Sequence, residues 1–74
     1  MKLGDRVRLT NSFARENQKF CDKYPLDLVI GTISVIRNDQ SNPYEGITYK
    51  VDWDITDLYF GCNWFHDDEL VVLK

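Results

Sequence analysis

The chain has 74 residues, is 43% hydrophobic and 28% charged, and carries a net charge of −3 with a pI near 4.9. That length supports one small hydrophobic core, and the composition is that of a folded soluble protein rather than a disordered one. No apolar run approaches the roughly 18 residues of a membrane-spanning helix, and the N-terminal apolar stretch is too short for a signal peptide, so a cytoplasmic protein is expected.

The charge divides along the chain. Residues 1–37 hold seven basic and four acidic residues, whereas residues 38–73 hold eight acidic residues and one lysine. Such asymmetry bears on partners and steering rather than on fold. Cys21 and Cys62 lack a C-x-x-C spacing, and without a secretion signal they read as reduced, small buried hydrophobes.

In chain order, "GDRVRLT" (4–10) opens with a turn glycine and alternates Val7 and Leu9 with Arg6 and Arg8, the pattern of a half-buried strand. Over 11–25 the period changes. Phe13, Ala14, Phe20, Cys21 and Tyr24 share one helical arc, with Arg15, Lys19 and Lys23 opposite. Asn11 or Ser12 can cap this segment and Pro25 ends it, although Asn17 falls inside the apolar arc. A short helix and an ordered long loop are both compatible with it. "VIGTISVIR" (29–37) is β-branched and predicts a strand with a bend at Gly31. A turn-rich loop follows at 38–46. Ile47, Tyr49, Val51 and Trp53 then alternate with polar residues, a strand with one wet face. "LYFGCNWF" (58–65) is apolar on both faces, with Phe60, Cys62 and Trp64 on one and Tyr59 and Phe65 on the other. "HDDE" (66–69) makes a polar turn into a last strand, "LVVL" (70–73). The expected interior is Val7, Leu9, Ile33, Val35, Tyr49, Val51, Phe60, Trp64, Leu70 and Val72.

Five short strands with one inserted helix or long loop point to a mainly β protein, a small closed barrel forming a single domain over residues 1–74. The succession "GDRVRL", a long excursion, "GTISVI", "YKVDW" and "ELVVL" resembles the Src-homology-3-like small barrels, in particular prokaryotic and phage-borne members in the style of the KOW, Tudor and Mind-bomb types. The resemblance covers nearly the whole chain and implies five strands, with a helix or helical loop after the first. No ALYDY-like acidic motif for polyproline ligands is present.

The stretch 52–70 packs six acidic residues, Cys62, His66 and five aromatics into nineteen positions. A metal reading would take Cys62, His66, Asp67, Asp68 and Glu69, but structural zinc wants about four ligands in short-spaced Cys or His pairs, and a calcium loop wants D-x-D-x-D-G. Carboxylates capping a solvated turn explain "HDDE" more simply, so no metal or cofactor is expected. A catalytic reading needs a nucleophile and a base in a cleft. His66 with Cys21 or Cys62 is the sole combination involving a histidine, and no recognised catalytic motif accompanies it. No enzyme is expected.

Two binding readings remain. Protein recognition would use an acidic-aromatic face of Tyr44, Glu45, Asp54, Asp57, Tyr59, Phe65, Asp67 and Asp68, suited to a partner with a basic surface. A compact acidic protein of this kind also resembles phage- or mobile-element-borne inhibitors that occupy a nucleic-acid-binding site on a host protein. The alternative is nucleic-acid binding through Arg6, Arg8, Arg15, Lys19 and Lys23. It ranks lower because seven of the ten aromatics lie between 44 and 65, in the acidic half. The apolar surplus of 58–65 has an internal explanation as well, namely that Phe13, Phe20 and Tyr24 cover Tyr59 or Phe65.

Overall fold

The computed structural model describes residues 1–38, 46–58 and 64–73. The chain runs β1 (Arg6–Leu9), α1 (Asn11–Asn17), a 3-10 turn (Gln18–Phe20), a second (Leu26–Leu28), β2 (Ile30–Asn38), β3 (Ile47–Trp53), β4 (Trp64–His66), a third 3-10 turn (Asp67–Glu69) and β5 (Leu70–Val72). All five strands form one antiparallel sheet in the order β4-β3-β2-β1-β5.

Alternation places each strand. Val7 and Leu9 are fully buried while Arg6 and Arg8 turn outward, and Val51 and Tyr49 do the same on β3. Gly31 is required by crowding. A Cβ there would stand 2.5 Å from Val51 Cγ1 and 2.8 Å from the Asp52 carbonyl oxygen, so only glycine lets β2 and β3 pair this closely.

A bulge decides the far half of β2. Ile33 pairs with Val51 but Val35 pairs with Lys50, so Ser34 is an extra residue and the inward phase shifts by one. Val35, expected inside, therefore points outward at 42% exposure. The slip shows how a single inserted residue exchanges the two faces. β4 departs from expectation in the same way. Trp64 pairs with outward Lys50 and is 37% exposed, whereas Phe65 pairs with Tyr49 and is 0% exposed. A strand apolar on both faces carries no alternation to fix its phase. Val72 sits at the margin of the core, and Phe60 lies outside the described residues.

Phe65 is the centre of the core. Its ring meets Phe13 edge-on at 5.8 Å and Trp53 at 5.7 Å, tying α1, β3 and β4 together. The arc of the excursion is confirmed at Phe13, Ala14, Cys21 and Tyr24 but not at Phe20, which is 59% exposed beneath Lys19. The helix cap is Thr10 rather than Asn11 or Ser12, its hydroxyl accepting from Phe13 N at 3.3 Å. Helix α1 stops after seven residues. The Asn17 amide donates back to the Phe13 carbonyl, and the Gln18 side chain takes over the next turn.

The expected closure is not found: β4 and β5 are the two ends of the sheet, and no ladder joins them among the described residues. They are nonetheless separated by only three residues, so that His66 and Leu70 are at most about 14 Å apart. The sheet is therefore curled until its ends lie a turn apart. Backbone bonds from Thr10 N to the Glu69 carbonyl and from Leu73 N to the Arg6 carbonyl hold β5 against β1.

Candidate functional site

Basic and acidic halves that are separate in sequence interlock in space. Asp54 follows β3, its amide bonded to the Ile30 carbonyl, and its carboxylate faces Arg6 on β1. The guanidinium grips it with both terminal nitrogens, Nη1 donating to Oδ1 at 2.9 Å and also to Thr32 Oγ1 at 2.7 Å. These hydrogen bonds hold the Asp54 carboxyl below the usual aspartate range. Asp57 receives Lys23 Nζ at 2.7 Å and the Tyr24 hydroxyl at 2.8 Å. Its carboxyl is lowered by Lys23 first and Tyr24 second, while the Tyr24 phenol is raised by the same bond. Solvent-exposed pairs of this kind add little stability. Their effect is positional, since Arg6 anchors β1, and Lys23 with Tyr24 the excursion after α1, to the segment leaving β3.

The acidic-aromatic face is therefore reduced. Asp54 and Asp57 are engaged internally, and Phe65 is too deeply buried to touch a partner, a correction to its placement on the surface. Asp67 and Asp68 are exposed on the last 3-10 turn. Tyr44, Glu45 and Tyr59 lie outside the described residues. The basic alternative is split as well. Arg6 and Arg8 lie on the outward side of β1, with Arg8 bonded to the Leu9 carbonyl. Arg15, Lys19 and Lys23 belong to the excursion, where Lys19 stands 5.2 Å from the Phe20 ring centre.

Of the metal reading, His66, Asp68 and Glu69 bring ligand atoms within 4.8 Å of one another on one turn, and Cys62 lies outside the described residues. Glu69 is already committed to its own backbone, accepting from His66 N at 2.7 Å and meeting His66 Nδ1 at 3.1 Å. Capping accounts for this carboxylate, and three donors fall short of a structural zinc set. Open grooves occur among the described residues, two of them near the elements above. One, of about 390 Å³, lies between α1 and the second 3-10 turn against Arg15, Gln18 and Asp27. The other, of about 360 Å³, lies along Val51–Trp53 and Ile55–Leu58. Neither is lined by His66 or by Cys21, which is a buried free thiol.

What sequence reasoning missed is the outward row Val35–Lys50–Trp64, three exposed side chains in register across β2, β3 and β4. Arg37, one outward step along β2, places its guanidinium 6.0 Å from the Trp64 ring centre. Ile36 and Ile47 are exposed on the other side of the same hairpin. Only the bulge at Ser34 and the phase of β4 reveal this row, and neither has a sequence signature here. No helix among the described residues is long and apolar enough to cross a membrane. Comparison with family models, with curated proteins and with solved structures finds no match to this chain.

Proposed function

We propose that the protein is a non-catalytic protein-binding module built on a Src-homology-3-like scaffold. The scaffold reading is supported by the strand order, by the bulged central β2 that pairs with both β1 and β3, and by the 3-10 turn between the last two strands. The binding reading rests on one observation: Val35 and Trp64, two of the eight exposed large hydrophobics among the described residues, flank Lys50 on the outward face of β2–β3–β4, while Ile36 and Ile47 are exposed on the opposite side of the same hairpin. Apolar side chains gathered in this way at a surface mark contact sites, and tryptophan is the commonest anchor. Of the acidic face expected from sequence, Asp67 and Asp68 stay exposed on the 3-10 turn after β4, where they would steer a basic partner.

Capture from cell lysate on immobilised protein, after nuclease treatment, tests the reading. Proteins retained by the wild type and lost with Val35→Ser plus Trp64→Ala support it, provided both forms give the same dispersed proton NMR spectrum. Retention that is entirely nuclease-sensitive would assign the module to nucleic acid instead.

A further inference from the structure

We infer a second site, separate from the protein-binding face: the groove between α1 and the 3-10 turn Leu26–Leu28 receives a small zwitterion of the amino-acid class, its carboxylate on Arg15 and its ammonium on Asp27. Asn11, Ala14, Arg15 and Gln18 recur at i, i+3, i+4 and i+7, and Gln18 keeps helical backbone as the cap, so the four share one face of the helix. That face lines one side of the groove, and Asp27, from the 3-10 turn, lines the other. The two sides are tied together. Gln18 Nε2 donates to the Cys21 and Tyr24 carbonyls, its Oε1 accepts from Leu26 N, and Leu26 itself is fully buried. Asp27, the next residue, therefore stands on backbone already fixed against α1, and a ligand does not have to order it. The volume, about 390 Å³, falls in the lower part of the range for small-ligand pockets.

The charges define the class of ligand. Arg6 and Lys23 are taken up by Asp54 and Asp57, whereas Arg15 and Asp27 are exposed in one groove and make no hydrogen bond or ion pair, with each other or with any other residue. A guanidinium is a forked donor matched to a carboxylate, and a carboxylate accepts from an ammonium. A plain anion on Arg15 would face Asp27, and a plain cation on Asp27 would face Arg15. A molecule carrying both charges satisfies the two together. Asn11 adds a neutral donor: its Oδ1 receives Arg8 Nη1 at 3.5 Å, which leaves its amide hydrogens for the ligand carboxylate. Among the described residues the lining has no aromatic or large apolar side chain, and Ala14, 2% exposed, is its one apolar member. The ligand's own side chain is accordingly small.

Three probes test the assignment: alanine, which carries both charges, N-acetylalanine, which keeps only the carboxylate, and alaninamide, which keeps only the ammonium. Each is titrated at near-neutral pH into isotope-labelled full-length protein while the amide resonances of Asn11, Ala14, Arg15 and Asp27 are followed. Alanine should give saturable shifts at these positions. Each single-charge analogue should bind about fivefold or more weakly, the scale of one hydrogen bond to a charged group in a partly solvated groove. Arg15→Gln should leave alanine no better a ligand than alaninamide, and Asp27→Asn should leave it no better than N-acetylalanine. Both substitutions keep size and remove only charge at exposed positions, so the dispersed proton spectrum should persist in each. Equal binding of alanine and either analogue to the wild type would show that the two charges do not act together, and would overturn the inference. Alanine shifts that survive both substitutions, or no saturable shift up to about 50 mM alanine, would overturn it as well. The groove is not part of the β2–β3–β4 face, so this result and capture from lysate stand or fall separately.

Discussion

Removing the Gln18 side chain should release the excursion between α1 and β2. The two amide hydrogens of Gln18 serve two carbonyls, with Nε2 2.6 Å from the Cys21 oxygen and 2.8 Å from the Tyr24 oxygen. Its own oxygen accepts from Leu26 N at 2.8 Å. One partly buried side chain thereby closes three backbone groups that no strand or helix reaches, and it sets Leu26, a fully buried core residue, in place. A net value of about 0.5–1.5 kcal/mol for each of the three hydrogen bonds makes Gln18→Ala cost about 2–4 kcal/mol. A domain of this size has only about 4–11 kcal/mol in all. The variant Gln18→Glu separates the hydrogen bonds from the packing. A carboxylate can still accept from Leu26 N but opposes the two carbonyls, so it should be destabilised at neutral pH. Relative to wild type it should recover when acid protonates it. Urea unfolding followed by tryptophan fluorescence gives the magnitudes, and hydrogen exchange at the Leu26 amide locates the effect. Gln18→Ala within about 0.5 kcal/mol of wild type, the scale of an ordinary surface change, with Leu26 still protected, would refute the account.

Phe65→Ala should cost about 3–5 kcal/mol and leave little folded protein, whereas Phe20→Ala should be nearly neutral because that ring is largely in water; thermal denaturation of the pair checks the placement of β4. Gly31→Ala should cost about 1–3 kcal/mol by driving a methyl into Val51 and the Asp52 carbonyl, whereas Gly46→Ala meets nothing within 4 Å; urea midpoints compare the two. Carbon-detected NMR titration should find Asp54 and Asp57 ionising below free aspartate, with Arg6→Ala and Lys23→Ala each returning its partner upward. Because these folded-state values are depressed, their stabilisation is complete above the unfolded aspartate value and fades as pH falls through the folded one. Tyr24 has the opposite sign: its raised phenol favours the folded state below its unfolded value, and that contribution is lost as pH rises through the folded one, which ultraviolet titration can follow.

Alternation alone made β1 and β3 legible, because Val7, Leu9, Tyr49 and Val51 recur with period two beside residues that must stay wet. The excursion's buried arc was readable for the same reason at Phe13 and Ala14, where a period of 3.6 meets a helix capped by Thr10, and Cys21 is buried beyond the helix's end. Ser34 and β4 were not. A bulge is a choice between two pairings of similar local cost, settled by how the whole sheet must bend over its core. In β4 both Trp64 and Phe65 are apolar enough to be buried, and the edge-on contacts of Phe13 and Trp53 favour Phe65. The charges follow the same division. The sequence determined that acidic residues gather after position 38, but pairing of Arg6 with Asp54 and of Lys23 with Asp57 required strands and loops distant in sequence to meet. Local patterns are set by neighbours along the chain. The exposed row of Val35, Lys50 and Trp64 depends on register between strands, and register is fixed only when the core closes.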